Sequence, residues 1–157
     1  MADRLTIISG ETQRKWPKEG DIFYFRLSDG KFGYGMVALG TIDVGPFKNA
    51  IVIYIYKHFL ESIDAELVLD KNELLLPPII TDGSCWKKGF FTTYKKYNPE
   101  NMDIYPCHFF KNPIRNEIYD QHGNMVSSTG EYVPLGKEAI QFYNGVIKSI
   151  ESKINNS

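Results

Sequence analysis

Residues 20–39 read GDIFYFRLSDGKFGYGMVAL, and the fold class follows from them. Ile22 to Leu27 has the period of two of a β-strand: Phe23, Phe25 and Leu27 fall on one face, Ile22, Tyr24 and Arg26 on the other. Ser28-Asp29-Gly30 is turn chemistry, because Asp-Gly supplies the positive φ that a tight hairpin needs. The return strand covers about Lys31 to Leu39. Gly33 and Gly35 within it mark a bulge, a sharp bend or the close approach of another backbone. Two strands joined by a tight turn begin an antiparallel sheet.

Downstream, Gly40 to Asn49 reads as a loop around Gly45-Pro46. Ala50 to Tyr56 is a strand with Ile51, Ile53 and Ile55 on one face and Val52, Tyr54 and Tyr56 on the other. Neither face is polar, so it belongs in the middle of the sheet. Lys57 to Leu76 mixes two signals: a helical stripe (Phe59, Leu60, Ile63, Leu67, Leu74) and a short strand at Val68-Leu69, ended by Pro77-Pro78. Ile79-Ile80 leads to a turn at Asp82-Gly83. Strands follow over about Trp86 to Tyr94 and Tyr105 to Phe110. Ile114 to Tyr119 and Met125 to Ser128 form a late hairpin around His122-Gly123-Asn124. After Pro134, Ile140, Tyr143, Ile147, Ile150 and Ile154 recur at helical spacing, which predicts an amphipathic helix over about 135–154. Gly145 inside it costs about 1 kcal/mol against alanine, which suggests close packing there. The sum is an α+β protein: an antiparallel, partly barrel-like β-sheet with a C-terminal amphipathic α-helix packed on it. It forms a single domain over 18–157, behind a polar lead-in, 1–17, for which Trp16 is the ordering residue.

The chain has 157 residues, 43% of them hydrophobic, enough to build a core without metal or disulfide staples. Its 18 Lys and Arg against 19 Asp and Glu give a net charge of −1, without the basic excess of a general polyanion binder. The longest apolar run, Ala50 to Tyr56, falls far short of the ~20 residues that span a bilayer. Leu5 to Ile8 is too short for the core of a signal peptide. Cys85 and Cys107 suit a reducing compartment as free thiols, and a bridge between them would require their strands to lie side by side. These features predict a cytoplasmic protein.

Three stretches carry surface chemistry. The glycines from Gly30 to Gly35 do not make a phosphate loop, because Met36 to Leu39 continue a strand rather than open a helix. Glu61, Asp64, Glu66, Asp70 and Glu73 form an acidic run opposed only by Lys71, suited to steer a basic protein into contact. Solvated charge along a loop is the bland alternative. Cys85 to Asn98 interleaves Lys87, Lys88, Lys95 and Lys96 with Trp86, Phe90, Phe91, Tyr94 and Tyr97 and holds no acidic residue. That mixture suits single-stranded nucleic acid, but a half-buried edge strand guarded by lysines explains it better. His58, His108 and His122 are scattered, Cys107 and His108 point to opposite faces of a strand, and no nucleophile elbow occurs. No enzyme, cofactor or metal site is expected.

Lys18 to Phe25, followed by Asp29 to Val37, resembles the opening of the immunity protein 26 family of bacterial polymorphic-toxin systems, a Gly-Asp-x-Phe strand, a short turn and a Gly-x-Gly-x-Val strand. Pro77-Pro78-Ile79-Ile80 followed by Trp86-Lys87-Lys88-Gly89-Phe90-Phe91 is similar to the family's Trp-x-x-Gly-aromatic segment, and Tyr119-Asp120 with Gly123-Asn124 also looks alike. The three blocks touch residues 18–130 and leave the C-terminal helix outside. The resemblance implies a cytoplasmic α+β protein that binds and neutralises a cognate toxin, with no cofactor and no chemistry of its own. It transfers no binding residues. The residues themselves favour the acidic run Glu61, Asp64, Glu66, Asp70 and Glu73, with Tyr97 and Tyr105 as exposed aromatic contacts, as the surface for a basic toxin. The alternative is a small β-barrel-like nucleic-acid module using Lys87, Lys88, Tyr94, Lys95 and Lys96. Nothing in the residues sets the oligomeric state.

Overall fold

A computed structural model describes residues 4–44, 47–129 and 133–156. The opening hairpin forms as its sequence dictates. Strand β2 (Asp21–Leu27) pairs antiparallel with β3 (Phe32–Val44), Phe23 opposite Gly35 and Phe25 opposite Gly33. Gly30 takes φ +89° in the turn, and the Leu27 N–H donates to the Lys31 carbonyl at 2.9 Å. The glycines of β3 are explained by side chains as well as by backbone. A Cβ on Gly35 would stand 2.3 Å from the Tyr54 carbonyl oxygen and 2.5 Å from the Phe23 ring; one on Gly33 would stand 2.1 Å from the Phe25 ring. Each phenylalanine therefore lies flat over the glycine opposite it, a cross-strand pairing that fills the space a missing side chain leaves.

The remaining strands extend this hairpin into a curled, half-barrel sheet. Beyond β3 come β4 (Phe47–Ile55) and β5 (Ile79–Thr81); the other edge of β2 is shared by β1 (Ile7–Ile8) and β6 (Thr92–Lys96), and all pairs are antiparallel. A second, four-stranded sheet has the order β10 (Leu135–Lys137), β7 (Phe109–Lys111), β8 (Ile118–Asp120), β9 (Met125–Val126), with β10 parallel to β7. Short helix α1 (Ser84–Lys87) and C-terminal helix α2 (Tyr143–Asn155) complete the α+β architecture.

Strand β4 is central and covered on both sides, as its two apolar faces require. On the first face Phe23, Phe25, Ile51, Ile53 and Ile55 pack with Trp86, Phe91, Val146, Ile147 and Ile150, so α1 and α2 close this layer. On the second, Ile22, Tyr34, Met36, Tyr54 and Tyr56 pack with Leu60 and Tyr105. Residues 4–17 contribute β1. The Leu5 N–H donates to Asn155 Oδ1 and the Leu5 carbonyl accepts from Asn155 Nδ2, both at 2.9 Å, while the Ile7 N–H donates to Glu151 Oε2.

Several sequence expectations are corrected. The expected loop Gly40 to Asn49 is mostly strand: β3 runs to Val44 and β4 begins at Phe47, through three register shifts that its irregular side-chain pattern reflects. Gly45-Pro46 lies outside the described residues. Lys57 to Leu76 forms no helix and no named strand; Leu60, Leu67, Leu69 and Leu74 hold it against the second face, and Leu75 and Leu76 pack against the first. Trp86 begins no strand; Asp82 Oδ1 accepts from the Ser84 N–H at 2.9 Å and starts the turn of α1, and β6 begins at Thr92. The strand over Tyr105 to Phe110 is confined to β7, and the late hairpin to β8 and β9. The C-terminal helix starts at Tyr143 rather than 135. Leu135 to Lys137 instead pair with β7, and Ile140 packs with Val52, Ile80 and Phe110 before the helix begins. Gly145 is not closely packed, since a Cβ there would meet nothing nearer than 3.8 Å.

Gly35→Ala should lower the unfolding free energy by about 3 kcal/mol, because backbone and ring both obstruct the new methyl. Urea denaturation at constant m-value measures it, and an unchanged midpoint would refute the packing account.

Candidate functional site

The segment from Leu60 to Leu76 is a strap laid over the second face of the sheet. Its two ends are zipped to strands: Phe32 and Leu60 exchange backbone hydrogen bonds at 2.9 and 2.8 Å, and the Leu75 N–H donates to the Ile55 carbonyl at 2.8 Å. Its middle is pegged from beneath by tyrosines. The Tyr34 hydroxyl donates to the Val68 carbonyl at 2.7 Å and accepts from the Val68 N–H at 3.1 Å, and the Tyr105 hydroxyl donates to the Lys71 carbonyl at 3.0 Å. From outside, Lys71 Nζ meets Asp103 Oδ1 at 3.0 Å, and the Lys71 N–H donates to Asp103 Oδ2. Partial burial alone would lift the Asp103 carboxyl, but these Lys71 contacts hold it below its ordinary value. Each peg contributes about 1 kcal/mol net, and together they fix a backbone that has no regular secondary structure of its own.

The pegs stay protonated. Burial pushes the hydroxyls of Tyr34, Tyr54 and Tyr56 up, Tyr54 and Tyr56 furthest, so all three stay neutral at physiological pH, although only Tyr34 of these pegs the strap and the buried Tyr56 hydroxyl has no hydrogen-bond partner among the described residues. Tyr54 also ties the two sheets together. Its hydroxyl accepts from the Tyr105 N–H at 3.0 Å and lies 2.6 Å from Nε2 of His108, which is only 2% exposed. Gln121 Oε1 accepts the His108 N–H at 2.8 Å, which fixes that atom as an oxygen; His108 Nδ1, also at 2.8 Å from it, must then carry the proton. Nε2 is left as the acceptor for the Tyr54 hydroxyl. Burial holds the imidazole below its ordinary value, in the neutral state this geometry uses.

The strap carries every residue of the acidic run, with unequal exposure. Asp64 and Glu66 are exposed, and neither has a cationic partner within 4.0 Å among the described residues. Glu61 is exposed and only loosely paired, with Lys31 at 3.6 Å. Asp70 is half-buried and accepts from the Asn72 N–H at 2.8 Å. Glu73 is engaged by Lys57 and lies 4.0 Å from His58. The displayed charge therefore sits in the first half of the run. Tyr97, at the end of β6, is 40% exposed, but Tyr105 is a correction: at 7% exposure it is a peg under the strap and not a surface contact. The inward tyrosine at 34 was the available signal for one peg, because a buried hydroxyl gains by finding a partner; at 54 and 56 the same signal marks none, since Tyr54 bonds to Tyr105 and His108 and the Tyr56 hydroxyl has no partner among the described residues.

The basic and aromatic segment is dispersed. Lys87 and Lys88 belong to α1 and its cap, whereas Lys95 and Lys96 end β6. Trp86 and Phe91 are fully buried, and Tyr94 is half-buried with Lys95 Nζ 5.4 Å from its ring centre. Lys87 and Lys88 lie over the rings of Trp16 and Tyr143. Trp86 and Phe91 therefore offer no face to a base, whereas Tyr97 stays exposed. Cys85 and Cys107 are free thiols, and burial pushes Cys85 far up. Among the described residues no three His, Cys, Asp or Glu side chains group to hold a metal, and no helix is long and apolar enough to cross a membrane.

The family model described as Immunity protein 26 matches residues 18–120, about two thirds of the 157. The chain belongs to the Immunity protein 26 family. No curated protein and no solved structure matches it. The immunity-protein region thus runs from the start of the opening hairpin to the end of β8, and contains the strap, its tyrosine pegs and His108; β1, β9, β10 and α2 lie beyond it.

Two measurements test this site. Tyr34→Phe should speed hydrogen exchange at the Val68 amide and cost about 1–2 kcal/mol, since it strips the strap of a two-way hydrogen bond. The second concerns His108. An unfolded histidine titrates near 6.5, and the folded value is lower. Between the two values the unfolded chain binds more protons, so the stability from neutral His108 is complete above pH ~6.5 and drains as pH falls through it. Urea unfolding at pH values of about 7.5 and 5.5 should show a loss that His108→Gln flattens; an equal loss in that variant would refute the assignment.

Proposed function

We propose that this immunity protein binds a cognate toxin and neutralises it by occlusion, with the strap from Glu61 to Glu73 and neighbouring exposed side chains such as Tyr97 as the contact surface. The observation that carries this reading is the pairing of rigidity with unspent charge: Asp64 and Glu66 stand exposed without cationic partners on a backbone held by buried tyrosine hydroxyls. A surface ordered before encounter loses little conformational entropy on binding, and a negative one accelerates the approach of a basic partner. The toxin would accordingly present a basic face. Inhibition of this kind asks for no chemistry from the inhibitor, only a rigid surface of complementary shape and charge. Free thiols at Cys85 and Cys107 suit work in the reducing cytoplasm, where a toxin would have to be met.

Reversing Glu61, Asp64 and Glu66 to lysine should slow association with a cognate toxin domain by about tenfold or more at low ionic strength, with the two rates converging as salt rises. Stopped-flow or surface-binding kinetics at two salt concentrations reads this. An unchanged rate would remove the strap from the interface.

A further inference from the structure

A second charged surface, of opposite sign, has its lysines outside the immunity-protein region. Helix α2 and strand β10 enclose an open groove of about 680 Å³. Lys137, Lys148 and Lys153 line it, with Ser149 and Gly145 between them. All three lysines are exposed, and none has a carboxylate within 4.0 Å among the described residues. The two carboxylates nearest them in sequence are spent elsewhere. Glu151 accepts from the Ile7 N–H at 2.8 Å, and Glu138 accepts from Asn112 Nδ2 at 3.3 Å. The groove thus presents three lysines that form no ion pair among the described residues.

Gly145 supplies a second, independent observation. Glycine is a weaker helix former than alanine even in the first turn, where Gly145 stands as the third residue of α2, so it asks for a reason. Packing within the chain gives none: a Cβ there would meet only Gln141, at 3.8 Å and beyond, and the φ of Gly145 is not in the left-handed region. What the missing side chain does provide is open space in the groove wall, where another backbone can approach the helix. We propose that this groove binds an extended acidic segment of a protein partner, its carboxylates on Lys137, Lys148 and Lys153 and its backbone running past Gly145. The geometry favours an acidic peptide over nucleic acid because the groove offers lysines but no aromatic lining on which bases could stack. The groove meets the strap only at its last residue, Leu76, and holds none of the acidic run, so it does not depend on how that run is used.

The test uses the full chain and a fluorescein-labelled Glu-Gly repeat peptide, read by anisotropy. Binding should weaken by about tenfold between roughly 50 mM and 300 mM salt. The double variant Lys148→Glu with Lys153→Glu should lose about tenfold in affinity at the lower salt. Gly145→Leu should lose about fivefold or more by filling the wall, while its thermal midpoint stays level or rises, since leucine favours a helix. Absence of binding at the lower salt, or equal binding by all three proteins, would overturn the proposal. So would tighter binding of an oligothymidylate of equal charge, or salt-sensitive self-association abolished by the same lysine variants, which would make a second copy the occupant.

Discussion

Coverage of β4 on both faces is the constraint on which the rest of this structure rests. A strand with Ile51, Ile53 and Ile55 on one side and Val52, Tyr54 and Tyr56 on the other cannot lie against water. The first face is met by regular elements, α1 and α2, whose apolar side chains need no partner beyond contact. The second carries hydroxyls among its apolar surface, and a tyrosine buried without an acceptor loses free energy. An irregular segment with free backbone carbonyls and amides meets that need at Tyr34 and Tyr105, as a helix with its backbone groups already paired would not, while the Tyr56 hydroxyl stays without a partner among the described residues. The strap therefore has no regular structure because of what lies beneath it.

The same requirement explains how a loop of more than a dozen residues can act as a rigid surface. Long unstructured connections in small domains are uncommon and usually mobile. Here the strap is tied to β3 at one end and to β4 at the other, with tyrosines and Lys71–Asp103 between. Order and exposure coexist because the backbone is bonded inward while alternate side chains, Asp64 and Glu66 among them, face outward.

The opening hairpin, the two-faced central strand and the amphipathic last helix were legible because each rests on local periodicity and turn chemistry. The glycines of β3 were legible only as places where something approaches closely; that the approach is by Phe23 and Phe25 depends on cross-strand register, which no single strand encodes. Lys57 to Leu76 misled for a different reason. Its inward side chains alternate only over residues 63–69, where Ala65, Leu67 and Leu69 pack on a surface assembled from distant strands, and no ladder partner among the described residues makes that stretch a strand. Trp86 looked like strand because aromatic residues favour sheets, yet Asp82 turns the chain into a helical turn just before it, and tertiary burial did the rest. For the candidate site, the charges were visible and their inequality was not. Whether Glu73 is free or engaged depends on Lys57 and on the strand that positions it.

The reciprocal hydrogen bonds between Leu5 and Asn155 bring the two extremities of the described fold to one corner. A short covalent bridge could span that corner with little disturbance, and the polypeptide could then be reopened at the turn beside Ile114, which is 91% exposed. The linear order of strands is thus less essential to this architecture than the neighbours each strand keeps.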